Sequence, residues 1–236
     1  MRYFENLKNR YMDRVERRIA FVLPIIFNRT LHKGLHRIWL RGDFTSLPET
    51  PFILAANHSS WWDAYLVHYI RERLPLPLNT VVKEETLETF PFFRRVGAVA
   101  DSEPRTLLRR LRDGEAAFIF PEGDMQPAGQ LAELKAGLGF FAERANVKIY
   151  PVAFRVVLRG AQKPEAFVIL GEPISGDTQA ALMMRFKTEL NKLLADLDAQ
   201  LATLHPEAEP EGFVLGSSRP KRFDERMSRL RRLWQR

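Results

Sequence analysis

Phe52-Ile53-Leu54-Ala55-Ala56-Asn57-His58-Ser59-Ser60-Trp61-Trp62-Asp63 carries the decisive reading of this chain. Its five apolar residues, bounded by Pro51 and Asn57, predict a buried strand. The polar cluster Asn57, Ser59, Ser60 then predicts a turn that caps a following helix. On one uninterrupted helix a five-residue offset would point His58 and Asp63 apart. With His58 in the turn and Asp63 in the first helical turns, both can face one opening at the strand's end. A carboxylate beside an imidazole fixes its tautomer and steadies its charged form, leaving the other nitrogen to take a proton. That is the equipment of a general base. The spacing alone also suits a capping or packed histidine. His32, His36, His68 and His205 lie in basic or amphipathic stretches with no such carboxylate, and read as surface or packing residues.

The same grammar recurs downstream. Ala116-Ala117-Phe118-Ile119-Phe120 is a second apolar strand, and it runs into Pro121-Glu122-Gly123-Asp124. A third strand spans 149–158 and contains Pro151-Val152. Further strands are predicted near 80–83, 97–100 and 166–170, with helices near 60–72, 105–113, 131–145 and 178–204. This alternation predicts an α/β fold, a mostly parallel sheet flanked by helices, preceded by an N-terminal helical membrane-contact region. The expected division is an amphipathic helical region over 1–40, a catalytic domain over 41–205, and a linker with a basic amphipathic tail over 206–236.

These ordered blocks resemble the glycerolipid acyltransferase family, which includes lysophosphatidate and glycerol-3-phosphate acyltransferases. Asn57, His58, Ser60 and Asp63 match its Asn-His-x-Ser-x-x-Asp block, and Phe120, Pro121, Glu122 and Gly123 its Phe-Pro-Glu-Gly block. Pro151 and Val152 match its Pro-Val pair, and Leu134-Lys135-Ala136-Gly137 is similar to its Lys-x-Gly. The resemblance covers roughly residues 35 to 200. It implies direct acyl transfer, with His58 and Asp63 catalytic and Glu122 and Gly123 at the acceptor. Glu122 would hydrogen-bond a hydroxyl, and Gly123 would let backbone come close. Asn57, Ser60, Pro121, Lys135 and Pro151 would support the site. The implied donor is acyl-CoA or acyl carrier protein.

Two departures bear on the acceptor. The family usually follows Phe-Pro-Glu-Gly with Thr-Arg-Ser, where this chain has Asp124-Met125-Gln126. Its second block runs from a Gly through a strand to an Arg six positions on, whereas Gly97 here leads to Glu103, with Arg105 the nearest downstream Arg. In the family those arginines are associated with the acceptor's phosphate, a task that suits the planar guanidinium fork. Arg105 is the first candidate to replace them, with Arg94, Arg95 and Lys83 behind it. Lysophosphatidate and a neutral or glycosylated lipid hydroxyl therefore both stand as acceptors, and a non-catalytic membrane-surface relative whose Asp124–Gln126 segment no longer binds an acceptor is the remaining alternative.

Composition bounds the rest. A chain of 236 residues, 45% hydrophobic, can bury a substantial core as one domain. Zero cysteines exclude disulfides, a thiol nucleophile and Cys-ligated metal sites. No Walker or Rossmann glycine loop and no His-Glu-x-x-His pair is present, so neither a metal nor a nucleotide cofactor is expected. The net charge of +7 sits at the ends: 1–41 carries 10 basic to 3 acidic residues and 212–236 carries 8 to 2, leaving an acidic middle. That distribution argues against nucleic acid.

Both ends read as amphipathic, through Phe4, Leu7, Tyr11 and Val15 and through Phe223, Met227, Leu230 and Trp234, each beside arginines. Apolar faces with basic flanks suit an anionic bilayer. Ile19 to Phe27, interrupted by Pro24, is far short of the roughly 20 residues of a span. The expectation is a peripheral or monotopic protein on the cytoplasmic face of the cell membrane. Its Ile19–Phe27 patch either forms an entrance for acyl chains or serves as a core helix.

Overall fold

The computed structural model describes residues 2–176 and 178–218, with side chains described over 13–217 except at 14 and 177. The C-terminal amphipathic stripe and the Phe4, Leu7 and Tyr11 side chains lie outside the described residues.

Eight strands form one sheet in the order β4-β3-β5-β2-β6-β7-β1-β8. They are β1 (Arg37–Arg41), β2 (Phe52–Ala56), β3 (Leu78–Val82), β4 (Ala98–Ala100), β5 (Ala116–Ile119), β6 (Lys148–Val157), β7 (Glu165–Leu170) and β8 (Val214–Ser218). Neighbours from β4 to β6 run parallel, as do β7 and β1, while β6–β7 and β1–β8 are antiparallel. The expected α/β class with a mostly parallel sheet is therefore observed.

Every residue of β2 is buried, because the strand lies mid-sheet with both faces covered. Ile53 and Ala55 face one core, with α4 (Pro104–Arg112), α5 (Gly137–Ala145) and α6 (Gln179–Thr203). Phe52, Leu54 and Ala56 face the other, with α2 (Asp63–Arg71) and the end of α1 (Arg2–Gly34). Leu182, Phe186, Leu190, Leu194 and Leu197 make the buried stripe of α6, at the three- and four-residue steps of one helix face.

Pro151 sits in a central strand, where a missing N–H usually breaks the ladder. Its carbonyl accepts Gly171 N at 2.8 Å, just past the end of β7. Its nitrogen faces the same way as that carbonyl, so no ladder bond to β2 is lost.

Three expectations need correction. The sheet extends beyond 41–205 at both ends: β1 pairs with β7, and β8 closes the sheet edge from within the stretch read as linker and tail. The helix predicted over 131–145 begins only at Gly137. The helix predicted from residue 60 begins at Asp63, with Trp62 at its cap and no side-chain cap bond. A short helix, α3 (Glu84–Thr89), and a 3₁₀ stretch over Pro91–Val96 were not foreseen.

α1 passes through Pro24 and leaves Phe21, Val22, Ile25 and Ile26 largely exposed, while Leu23 and Leu31 are buried. Phe27 anchors it edge-on against Tyr65 and His68, each at 5.1 Å. No helix among the described residues is long and apolar enough to cross a membrane.

Candidate active site

Parallel strands place the ends of β2, β3, β4 and β5 on one sheet edge. β2 and β5 are hydrogen-bonded neighbours, yet their following helices pack on opposite faces, α2 with one core and α5 with the other. Divergence of this kind opens a crevice at the carboxyl ends of the two strands. His58 follows β2 and Glu122 follows β5, so both stand at that crevice.

The turn after β2 is organised by one atom. Asp63 Oδ2 accepts the N–H groups of Ser59 and Ser60 at 2.8 Å each, and lies 2.9 Å from His58 Nδ1. Asp63 is fully buried while the His58 side chain is 22% exposed, so the carboxylate is shielded and the imidazole is open. Ser60 Oγ accepts Trp62 N at 3.2 Å, which tightens the turn. The expected convergence of His58 and Asp63 at the strand's end is observed. Trp62 fills the space over Gly34, where a Cβ would come within 1.8 Å of its ring and so could not be accommodated. That contact seats α1 beside the turn.

Asn57 fixes the strand end. Its side chain donates to Phe154 O at 3.1 Å and accepts Phe154 N at 2.8 Å, tying the crevice wall to β6. Phe120 stacks on His58 at 4.3 Å between ring centroids, 22° from parallel. Glu122 was expected to contact the acceptor. It is 6% exposed, and its two oxygens accept His58 N at 2.9 Å and Ala132 N at 3.0 Å. Its hydrogen bonds thus brace the backbone on both sides of a recess that it also lines.

Gly123 has φ +77°, in the left-handed region, and a Cβ there would lie 2.3 Å from Lys135 Nζ. The bare glycine lets the Lys135 side chain cross the turn, and Lys135 N donates to Pro121 O at 2.8 Å.

Two residues missed in the sequence complete the enclosure. The buried Arg155 makes a two-pronged pair with Asp198 at 2.7 and 2.8 Å and donates to Gly129 O at 2.8 Å. Asn191 of α6 accepts Leu131 N at 2.8 Å. With Gln126 N on His58 O at 2.7 Å, these bonds fold the 126–131 loop over a narrow recess. His58, Asn57, Glu122, Gln126, Gly129 and Arg155 line it. A lone charge inside the apolar run 149–158 was the available signal for Arg155. Asn191 gave none.

The cations are differently placed. Arg105 is exposed in the first turn of α4, and among the described residues no hydrogen bond or ion pair joins it to His58, Glu122 or Lys135. Arg94 makes a two-pronged pair with Glu103, Arg95 pairs with Asp13 and Glu16 of α1, and Lys83 pairs with Asp124. The Asp124 bond raises the Lys83 ammonium above its ordinary range. Lys83 in turn holds the Asp124 carboxyl below its own, with the charges of Lys135 and His58 adding to the effect. Among the described residues no cluster of His, Asp and Glu is arranged to hold a metal ion.

Over 122 residues the chain is 29% identical to a 1-acyl-sn-glycerol-3-phosphate acyltransferase of Pseudomonas aeruginosa, an alignment spanning 46% of each protein. The chain thus spans less than half the length of that curated relative. Its fold is similar to the crystal structure of the 1-acyl-sn-glycerophosphate (LPA) acyltransferase PlsC from Thermotoga maritima. The TM-score is 0.62 at 18% identity, over 80% of this chain and 83% of that one. The family model described as Acyltransferase matches residues 37–155, from the first strand through Arg155, and the chain belongs to that family.

Proposed function

We propose that this chain moves a fatty acyl group from an acyl thioester, acyl-CoA or acyl carrier protein, to a free hydroxyl of a glycerolipid of the 1-acylglycerol-3-phosphate class. The observation that carries the reading is the His58–Asp63 pair at the mouth of the recess. With Asp63 ionised, His58 donates from Nδ1 and keeps Nε2 as the acceptor. Nε2 takes the acceptor's hydroxyl proton as that oxygen attacks the thioester carbonyl. A new ester C–O bond forms, the C–S bond breaks, and the imidazolium returns its proton to the leaving thiolate. No covalent acyl-enzyme is required, and the chain has no cysteine to form one.

A membrane would supply the acceptor. Phe21, Val22, Ile25 and Ile26 make an exposed apolar face on a helix whose segment, 1–41, is strongly basic, and Trp61 is 59% exposed at the site's turn. This combination suits peripheral attachment to an anionic, cytoplasmic leaflet.

A neutral lipid hydroxyl is the second reading. The observation that favours it is the carboxylate partner held by each of Lys83, Arg94 and Arg95. Product analysis decides: incubation with a long-chain acyl-CoA and lysophosphatidate, glycerol 3-phosphate, monoacylglycerol or a lipid glycoside, followed by mass spectrometry. Phosphatidate is the expected product. Acylation of the uncharged acceptors alone would favour the second reading, and thiol release with no acylated lipid would indicate a hydrolase.

A further inference from the structure

Lys83 immediately follows β3, and Asp124 stands two residues after Glu122 at the end of β5, so adjacent parallel strands present them at one edge. They form an ion pair although neither is held in place by burial: their side chains are 48% and 54% exposed. The Lys135 side chain crosses Gly123, the residue before Asp124, and Gln126 N, two residues after it, donates to His58 O, so the pair stands at the mouth that His58 and Lys135 share. Asp124 also stands directly after Glu122-Gly123, where the family usually begins Thr-Arg-Ser. The chain thus places an anion of its own against Lys83, an exposed cation that could otherwise meet an acceptor's phosphate.

We propose that Asp124 is an acceptor-selecting residue: its carboxylate occupies the position beside Lys83 that an acceptor's phosphate would take. This rests on the acyl-transfer reading above. A phosphate must displace the carboxylate and then tolerate its charge nearby, whereas an uncharged hydroxyl need do neither. Exposed pairs of this kind contribute little stability, so displacement is feasible and the effect is one of selectivity rather than exclusion.

Calorimetric binding of glycerol 3-phosphate to wild type, Asp124→Asn and the double variant Lys83→Gln/Asp124→Asn tests this without turnover. Asp124→Asn is expected to bind about fivefold tighter than wild type, with the gain abolished by Lys83→Gln. In turnover, the same single variant should lower the KM for lysophosphatidate relative to that for monoacylglycerol by a similar factor. Unchanged or unmeasurable binding to Asp124→Asn overturns the proposal, as does a gain that survives Lys83→Gln. Failure of every acceptor to be acylated would instead count against the acyl-transfer reading, because the binding result stands apart from turnover.

Discussion

His58 Nδ1 lies 2.9 Å from Asp63 Oδ2, and that one oxygen also holds the backbone N–H groups of Ser59 and Ser60. A single buried atom therefore shapes the turn and sets the imidazole's tautomer. Asp63→Asn offers a carbonyl to the same two amides but no negative charge to a forming imidazolium. A fall in kcat of about 10²–10⁴-fold is expected, the range of a general base deprived of its function. Steady-state kinetics, with circular dichroism to confirm folding, checks this.

Glu122 joins the two walls of the recess through His58 N and Ala132 N. Glu122→Gln keeps the shape but turns an NH₂ group toward one of those donors. One partly buried amide then loses its acceptor, at a cost of about 1 kcal/mol. Urea denaturation should show this loss, together with reduced kcat from the displaced His58 backbone. Wild-type stability would mean that the two amide bonds contribute nothing.

Phe21 and Ile25, 79% and 60% exposed, stand on the outer face of α1. Replacing both with Ser removes apolar surface from the proposed membrane contact and leaves the cores untouched. Sedimentation with anionic liposomes should fall about tenfold or more, since each buried large side chain is worth about 1.5–3 kcal/mol. Detergent-solubilised activity should persist.

Burial lowers the His68 pKa from its ordinary 6.5, with Arg71 adding to the shift and Glu72 opposing it. The unfolded chain thus binds the proton more readily than the fold does. His68 therefore contributes stability at pH above about 6.5, lost as pH falls through the lowered folded value. Because His68 packs on Phe27, acidification should loosen α1 from α2. Urea midpoints at pH 7.5 and 5.5 should differ less in His68→Phe than in wild type.

The sequence made the strand–turn–helix around His58 legible because local patterning alone dictates it: an apolar run, a polar turn, an amphipathic helix. Long-range pairings were not legible. β1 and β8 meet across most of the chain, and the 37–41 segment, three apolar residues between two arginines, is too short to identify itself. The 131–136 stretch has helical composition but stays irregular, because its amides are taken elsewhere: Leu131 by Asn191, Ala132 by Glu122 and Lys135 by Pro121. Tertiary partners outbid the helix there. The meeting of His58 and Asp63 at the strand's end could be read from the local pattern, whereas the bracing role of Glu122 and the loop anchor Arg155 required the fold.

The most direct measurement is the rate of thiol release from a long-chain acyl-CoA with lysophosphatidate in liposomes, for wild type and His58→Ala. A loss of about 10²–10⁴-fold in the variant, with unchanged folding and liposome binding, is the expected result. Full activity in a folded His58→Ala protein would contradict general-base catalysis by this residue.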